Sequence, residues 1–312
     1  MRAALARIGD ALVRRLAASF GLGAAALVFS EFVFLNEGPV EILTDMLGDP
    51  AGLIEFFAVF VAMYAAFAYV TLVAMWGFRA RGWAGLALSG AILGWAIEGI
   101  VIPLVYEAPP LSFAWPSLGW HMLVSFGVAW VAIPCVMRRK GWALQLVIFA
   151  LAGLAWAGWA RLFFAEDPAM ILPDPSGFAG LTVASGAVLI LGRWLADRPW
   201  ARFTPGRFDV VLAVLLSVPL ALAVGASVGP VSAALFALVA LTLWAMKRLG
   251  EGGAIRAEAT PPKAAYLRLA AFPISAALAF PVIPDAPPGL SFLVVLPLTA
   301  FATLLWCAAI IS

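Results

Sequence analysis

The stretch SLGWHMLVSFGVAWVAIPCVM at residues 117–137 is followed at once by Arg138, Arg139 and Lys140. A helix needs about 20 predominantly apolar residues to cross the hydrocarbon core of a bilayer, and this stretch meets that length. Basic residues collect on the cytoplasmic side of membrane proteins. The stretch therefore predicts a transmembrane helix whose carboxyl end lies at the cytoplasmic surface.

Nine further apolar runs of similar length occur along the chain, which has 312 residues and is 64% hydrophobic. Soluble domains are only about 45–50% apolar. Together the ten runs predict an all-α, polytopic integral membrane bundle of about 10 transmembrane helices. The nine other runs are 17–36, 51–76, 83–106, 142–164, 177–195, 209–227, 230–246, 267–283 and 290–311.

The basic residues indicate one orientation for all ten runs. Of the 19 Lys and Arg residues, only Arg161 falls on the opposite side from Arg138 and Arg139. By the positive-inside rule the N-terminus is cytoplasmic, and an even number of spans returns the C-terminus to the same side. We therefore expect an N-in/C-in protein of the plasma membrane, in a bacterium the inner membrane. The net charge of +2 is too small to indicate that the chain binds a nucleic acid. Membrane lipids are the expected partners, and a homo-oligomer or an assembly with other membrane subunits stays open.

The chain divides into three parts by composition. Residues 1–16 place four leucine and isoleucine side chains on one helical stripe. They predict a cytoplasmic interfacial amphipathic helix, or else a simple basic lead-in to the first span. Residues 17–164 form the part of the membrane domain that carries polar groups, and residues 165–312 form a scaffold part. The segment 248–266 is rich in Gly, Pro and charge, which predicts a flexible cytoplasmic loop.

Four ionisable groups interrupt the apolar runs of the first part: Glu31, Glu55, Glu98 and His121, the chain's only histidine. Counting about 1.5 Å per residue from the run ends places all four roughly 6–12 Å below the outer surface. Ionisable residues inside a membrane are costly and mark functional sites. We expect Glu98 and His121 to exchange protons with a substrate, and Glu31 to orient it or stabilise charge, in an outward-facing site. Alternatively, these groups bind a cation or only tie neighbouring helices together.

Seven further residues are expected to bind the substrate, because they lie near these acids or on the outer side of the chain. They are Trp95, Tyr106, Glu107, Trp115, Trp120, Ser125 and Arg161. The loop 107–116 is rich in proline and aromatic residues, which predicts that it lies in the outer interface or dips back among the helices. Arg161 either pairs with Glu166, Asp167 or the acids, or binds a phosphate head group. One histidine and two cysteines predict no thiolate or multi-histidine metal site, whether a metal binds the Glu/His cluster stays open, and the sequence identifies no cofactor.

The chain holds one asparagine, Asn36, and one glutamine, Gln145. Carriers of sugars or amino acids hold polar solutes with several fixed hydrogen-bonding groups, so the scarcity of amides favours a lipid, a proton or a bare ion. The leading interpretation is a multi-pass membrane protein that handles a lipidic substrate at the outer leaflet through the Glu/His site, including an intramembrane lipid-modifying enzyme. A proton- or ion-coupled secondary transporter or exporter is the alternative. A non-catalytic subunit of a membrane complex is the second alternative.

Overall fold

A computed structural model describes residues 2–35, 49–80, 82–101, 103–139, 141–166, 172–198, 205–250 and 259–312. These residues form helices and connecting turns, and none of them forms a strand. Ten helices in this part of the chain are long and apolar enough to cross a membrane. They are α1 Gly9–Phe32, α2 Ile54–Gly77, α3 Gly82–Ile100, α4 Leu111–Met137, α5 Trp142–Phe164, α6 Pro175–Ala196, α7 Arg207–Val228, α8 Ser232–Leu249, α9 Lys263–Val282 and α10 Phe292–Ile311.

The predicted all-helical class and the ten long apolar helices are confirmed. Apart from the earlier start of α1, the largest differences in helix bounds fall around α3 and α4. The run 83–106 does not continue as one regular α-helix: its helical backbone becomes π-helical over Ile97–Val101, and Pro103–Tyr106 forms a tighter 3-10 turn. Proline at position 103 has no N–H for a continuing α-helix, which favours this change. The helix α4 begins earlier than predicted because Leu111–Ala114 already forms a helical turn.

The terminal segment and the predicted loop are described only in part. Helical backbone runs without a break over Arg2–Leu27, so residues 2–16 continue directly into the first span. The side chains of residues 1–8 lie outside the described residues, and an interfacial position for this segment stays a prediction. Within 248–266, residues 251–258 also lie outside them.

Two helices begin with an Asp-Pro pair. Asp49 accepts a hydrogen bond from the Gly52 N–H before α2, with an Oδ1–N distance of 3.1 Å. Asp174 accepts one from the Gly177 N–H before α6, at 2.8 Å. Such caps satisfy N–H groups that have no partner within the helix, and proline suits the first helical position. The Ser176 hydroxyl and then the Gly177 N–H lower the pKa of the Asp174 carboxyl below its ordinary value.

Contacts between helix ends bring the basic residues together at one end of the bundle. Arg15 of α1 donates to Asp209 at the start of α7, with an NH2–Oδ2 distance of 2.8 Å. Arg268 of α9 donates to Gln145 at the start of α5, at 2.9 Å. We call this the basic end, and the opposite end, which includes Arg161, the site end.

Helix α1 lies at the centre of the bundle and positions the residues near its carboxyl end. It packs against α2, α4 and α6, while α3 packs against α4, α8 and α10. Residues Ala25 to Phe29 of α1 are buried. The outer helices α7 and α10 instead present exposed apolar side chains, such as Leu215 and Leu304. The central position of α1 therefore places Ser30 and Glu31 against neighbouring helices.

Candidate functional site

Polar groups from separate helices meet at the site end, where α3 and α4 pack together. Glu98 lies near the carboxyl end of α3, and His121 lies in the first half of α4. His121 Nε2 lies 2.6 Å from Glu98 Oε1, and each residue is only 1% exposed. The structure thus brings Glu98 and His121 into direct hydrogen-bonding contact, away from solvent.

The three residues predicted to be catalytic all lie in π-helical stretches, in which N–H groups bond to carbonyls five residues back. These stretches are Val28–Phe32 with Glu31, Ile97–Val101 with Glu98, and Ser117–Ala132 with His121. The His121 N–H, for example, bonds to the Pro116 carbonyl with an N–O distance of 3.0 Å. A π turn holds more residues than an α turn and redirects the side chains that follow, and such turns are frequent at functional sites.

Glycine at position 94 lets α3 and α4 approach closely enough for the Glu98–His121 contact. A Cβ on Gly94 would lie 2.0 Å from the Ser117 carbonyl oxygen and 3.2 Å from the His121 Cβ. The two backbones can touch here only because position 94 has no side chain, as is common where membrane helices cross closely. Gly94 precedes Glu98 by four residues, so it lies one turn away on the same face.

Two serine hydroxyls hold the other ring nitrogen of His121. Ser30 Oγ lies 3.2 Å and Ser125 Oγ 3.1 Å from Nδ1, and both serines are fully buried. A hydroxyl can donate or accept a hydrogen bond, so these serines fit an imidazole with its hydrogen on either nitrogen. They fix the orientation of the ring and leave its tautomer free to change.

Glu31 directly follows Ser30 in the chain, and one of its partners is a residue that the sequence analysis missed, Tyr64 of α2. The Tyr64 hydroxyl donates a hydrogen bond to Glu31 Oε1. Both residues are buried. Tyrosine is rare here, with only 4 in the chain. A tyrosine inside an apolar run is a signal for a buried polar contact, because its hydroxyl needs a partner.

An aromatic cluster formed by Phe34, Trp115, Trp120 and Trp159 lies against this polar group. The Phe34 ring is 4.5 Å from Trp120, 5.7 Å from Trp115 and 6.1 Å from Trp159 between centroids. It also meets the His121 ring edge to face at 6.2 Å. Indole N–H groups anchor the cluster to α1, because Trp120 donates to the Phe29 carbonyl at 2.7 Å and Trp159 to the Phe34 carbonyl at 3.0 Å.

The second half of the loop 107–116 dips back among the helices. The Ser112 hydroxyl is buried and donates to the Val105 carbonyl at 2.6 Å. Trp95 of α3 donates its indole N–H to the Phe113 carbonyl at 3.0 Å. Residues 107–111 of the loop are exposed, so only its second half dips back among the helices, and this half supplies Trp115 to the aromatic cluster.

Other predicted residues lie apart from the Glu98–His121 contact. Glu55 and Glu107 are exposed, so neither takes part in the buried group around His121. Tyr106 is buried, and its hydroxyl donates to the Gly99 carbonyl at 3.2 Å. Burial raises the pKa of Tyr106 above its ordinary value.

Arg161 pairs with Asp285 rather than with Glu166. Its NH1 lies 2.6 Å from Asp285 Oδ1, and its other nitrogens donate to the Phe280 carbonyl. The Glu166 carboxylate instead accepts the N–H groups of residues 289 and 291. Asp167, the other proposed partner, lies outside the described residues.

The Glu98–His121 contact joins a carboxyl group to an imidazole, two of the side-chain types that act as general acids and bases in proteins. Glu98 Oε2 and Ser117 Oγ, both buried, have no hydrogen-bond partner among the described residues. These two atoms offer polar contacts to a group that enters the site.

Within the described ranges, no three His, Cys, Asp or Glu side chains come together as a metal would require. Cys135 and Cys307 are free thiols at exposed positions. Comparison with known proteins finds no matching protein family, no matching curated protein and no matching solved structure.

Proposed function

We propose that the chain is an integral protein of the plasma membrane, in a bacterium the inner membrane, with both termini in the cytoplasm. Ten helices of sufficient length support insertion, as do the exposed apolar side chains of α7 and α10, which lipid would cover. The positive-inside rule then puts the basic end in the cytoplasm and the site end at the outer leaflet.

The function that the geometry supports best is proton transfer to or from a lipidic substrate at the outer leaflet. The observation that carries this proposal is the 2.6 Å contact between His121 Nε2 and Glu98 Oε1, with both side chains buried. Titratable pairs of this kind are costly in apolar surroundings and concentrate at sites of proton exchange. A structural tie between α3 and α4 needs only one donor and one acceptor, whereas acid–base chemistry needs groups that titrate.

In this proposal His121 and Glu98 are the catalytic residues. The imidazole takes a proton from a hydroxyl or amine of the substrate head group, and the Glu98 carboxylate stabilises the imidazolium that forms. Ser125 keeps the ring in place. The buried Glu98 Oε2 and Ser117 Oγ are the nearest contact points for the polar part of the substrate. Glu31 contributes a second carboxyl at the edge of the site.

The scarcity of amide side chains supports a lipid rather than a sugar or amino acid. Gln145 is buried at the basic end, where its Nε2 donates to the Met137 and Arg139 carbonyls and its Oε1 accepts from Arg268. Gln145 therefore has a structural role away from the site. Asn36 lies outside the described residues. The aromatic cluster beside His121 is suited to apolar chains.

Glu98→Gln tests this proposal, because it keeps size and hydrogen bonding and removes titration. We expect thermal stability in detergent close to that of the wild type and a loss of activity of about 100-fold or more. The matched control is Glu55→Gln, which changes an exposed carboxylate of α2. Activity is measured by mass spectrometry of membrane lipids from cells that express each form. A lipid that changes with the wild type and with Glu55→Gln, but not with Glu98→Gln, supports the proposal. Lipids that are identical in all cells contradict it.

A proton-coupled transporter is the second candidate, and the enclosure of the site favours it. Glu31 is 4% exposed and Glu98 1%, and the aromatic cluster lies against the His121 ring. Secondary transporters bind near the membrane interior and open the site to one side at a time. Reconstituted vesicles that contain a pH-sensitive dye discriminate between the candidates. Proton flux that depends on an added solute, and that Glu98→Gln abolishes, favours transport over lipid modification.

A further inference from the structure

We propose that Tyr64 and Ser30 join Glu31 to the His121–Glu98 pair in one path of hydrogen bonds, along which the two carboxyl groups share a single proton. The inference rests on the proposed proton transfer at this site and adds a way in which that transfer is controlled. Glu31 sets which member of the pair holds the proton. Tyr64 and Ser30 act through His121, so they are positioning residues.

The path joins four helices. The Tyr64 hydroxyl of α2 donates to Glu31 Oε1. Ser30 directly precedes Glu31 on α1, and a hydrogen bond from its hydroxyl to Tyr64 is the one link that the proposal adds. Ser30 Oγ of α1 lies 3.2 Å from His121 Nδ1 of α4, and His121 Nε2 lies 2.6 Å from Glu98 Oε1 of α3. All five residues are buried. Protons can therefore move among these side chains without passing through bulk water.

Hydrogen-bond chemistry gives this path two matched states. In the first state Glu98 is protonated and donates to His121 Nε2. His121 then donates from Nδ1 to Ser30, Ser30 to Tyr64, and Tyr64 to the Glu31 carboxylate. Shifting every hydrogen one step toward Glu31 breaks the O–H bond of Glu98 and forms one on Glu31. His121 is left with its hydrogen on Nε2, and the total charge stays the same.

Burial favours the sharing of one proton over two ionised carboxyls. Two carboxylates in one apolar region repel each other and lack water to stabilise them. Among the described residues that contact the His121 ring, Glu98 of α3 is the titratable one. Glu31 of α1 and Tyr64 of α2 contact each other and reach the ring through the proposed link to Ser30. From α4 itself only serine hydroxyls, such as Ser125, reach the ring. The tautomer of His121 therefore reports which carboxyl holds the proton.

The single histidine makes the test direct. Labelling with ¹⁵N-histidine gives ring-nitrogen signals from His121 alone, and these signals show which nitrogen carries the hydrogen. We expect Glu31→Gln to change the tautomer ratio about tenfold or more, as the loss of a charge-assisted hydrogen bond does. In a Tyr64→Phe background the same Glu31→Gln substitution should leave the ratio unchanged, because the path is already cut.

A matched control is Tyr69→Phe, which removes a tyrosine–carboxylate hydrogen bond of 2.7 Å to Asp209 at the basic end. In that background the response to Glu31→Gln should remain complete. If Tyr64→Phe does not fold, Ser30→Ala cuts the next link and gives the same expectation.

An equal response to Glu31→Gln with and without the Tyr64 hydroxyl would show coupling through space and overturn the path. No response in either background would overturn it as well. Failure of the proposed function gives a different result from failure of the path. A Glu98→Gln protein that keeps its activity contradicts catalysis by the pair, whatever the tautomer response. A lost response with activity still dependent on Glu98 contradicts only the path.

Discussion

Replacing Gly94 by alanine tests the close contact of α3 and α4 on which the Glu98–His121 pair depends. The new Cβ would lie 2.0 Å from the Ser117 carbonyl oxygen. Ordinary van der Waals contact begins at 3.4 Å, so the helices must separate locally by about 1.4 Å. The same separation along the line between His121 and Glu98 would lengthen their 2.6 Å contact to about 4 Å, which is too long for a hydrogen bond.

The expected loss of stability is about 1–3 kcal/mol, the usual cost of forcing extra volume into a packed interior. Two other glycines serve as controls. A Cβ on Gly153 of α5 would lie 2.0 Å from the Phe272 carbonyl oxygen, far along the chain from the site, whereas a Cβ on Gly158 would meet nothing within 4 Å. Gly153→Ala should therefore lose stability to a similar extent. Gly158→Ala should gain about 0.5–1 kcal/mol from the helix preference of alanine.

The assay combines thermal unfolding in detergent with the ¹⁵N spectrum of the single histidine. Gly94→Ala should lower the unfolding temperature and shift the His121 ring signals, while Gly153→Ala should lower the temperature and leave those signals in place. Wild-type His121 signals in a folded Gly94→Ala protein would refute the reasoning, because the pair would then not depend on close packing at position 94. Equal unfolding temperatures for Gly94→Ala and Gly158→Ala would refute the steric argument itself.

Two further predictions concern the orientation of the chain in the membrane and the loop contact made by Glu166. A reporter fused after Arg139 or at Ser312 should be cytoplasmic, and a reporter fused within residues 165–175 should be external. The reverse result would contradict the proposed orientation. The Ser291 hydroxyl, followed by the N–H groups of residues 291 and 289, lowers the pKa of Glu166. The ionised Glu166 carboxylate therefore contributes fully to loop stability above the ordinary carboxyl pKa of about 4.3, and this contribution is lost as the pH falls below that value. Hydrogen exchange of the Ser291 amide should show this acid-dependent loss in the wild type and not in Glu166→Gln, and matching profiles would contradict the assignment.

The ten helices could be predicted because a membrane-spanning segment is specified by composition over about 20 consecutive residues. Depth placed Glu98 and His121 in one layer roughly 6–12 Å below the outer surface, and the structure brings the two side chains into contact. Depth alone does not identify which helices are neighbours, so partners across the bundle could not be predicted. Tyr64 lies 33 residues from Glu31, and Arg161 lies 124 residues from Asp285. Such pairs depend on which helices become neighbours, and the hydrophobic pattern within a single segment does not specify its neighbours.

The π turn at the end of α1 shows why the site is formed where helices meet. The Val33 N–H bonds to the Val28 carbonyl at 2.8 Å rather than to the Phe29 carbonyl four residues back. The Phe29 carbonyl instead accepts the indole N–H of Trp120, at 2.7 Å. An unpaired buried carbonyl costs about 1–3 kcal/mol, so the irregular turn is stable only when α4 is docked. Trp120 directly precedes His121, and therefore the contact that stabilises the turn also brings the histidine to Ser30. The shape of α1 at this point is a property of the packed bundle, and no pattern within α1 alone could have specified it.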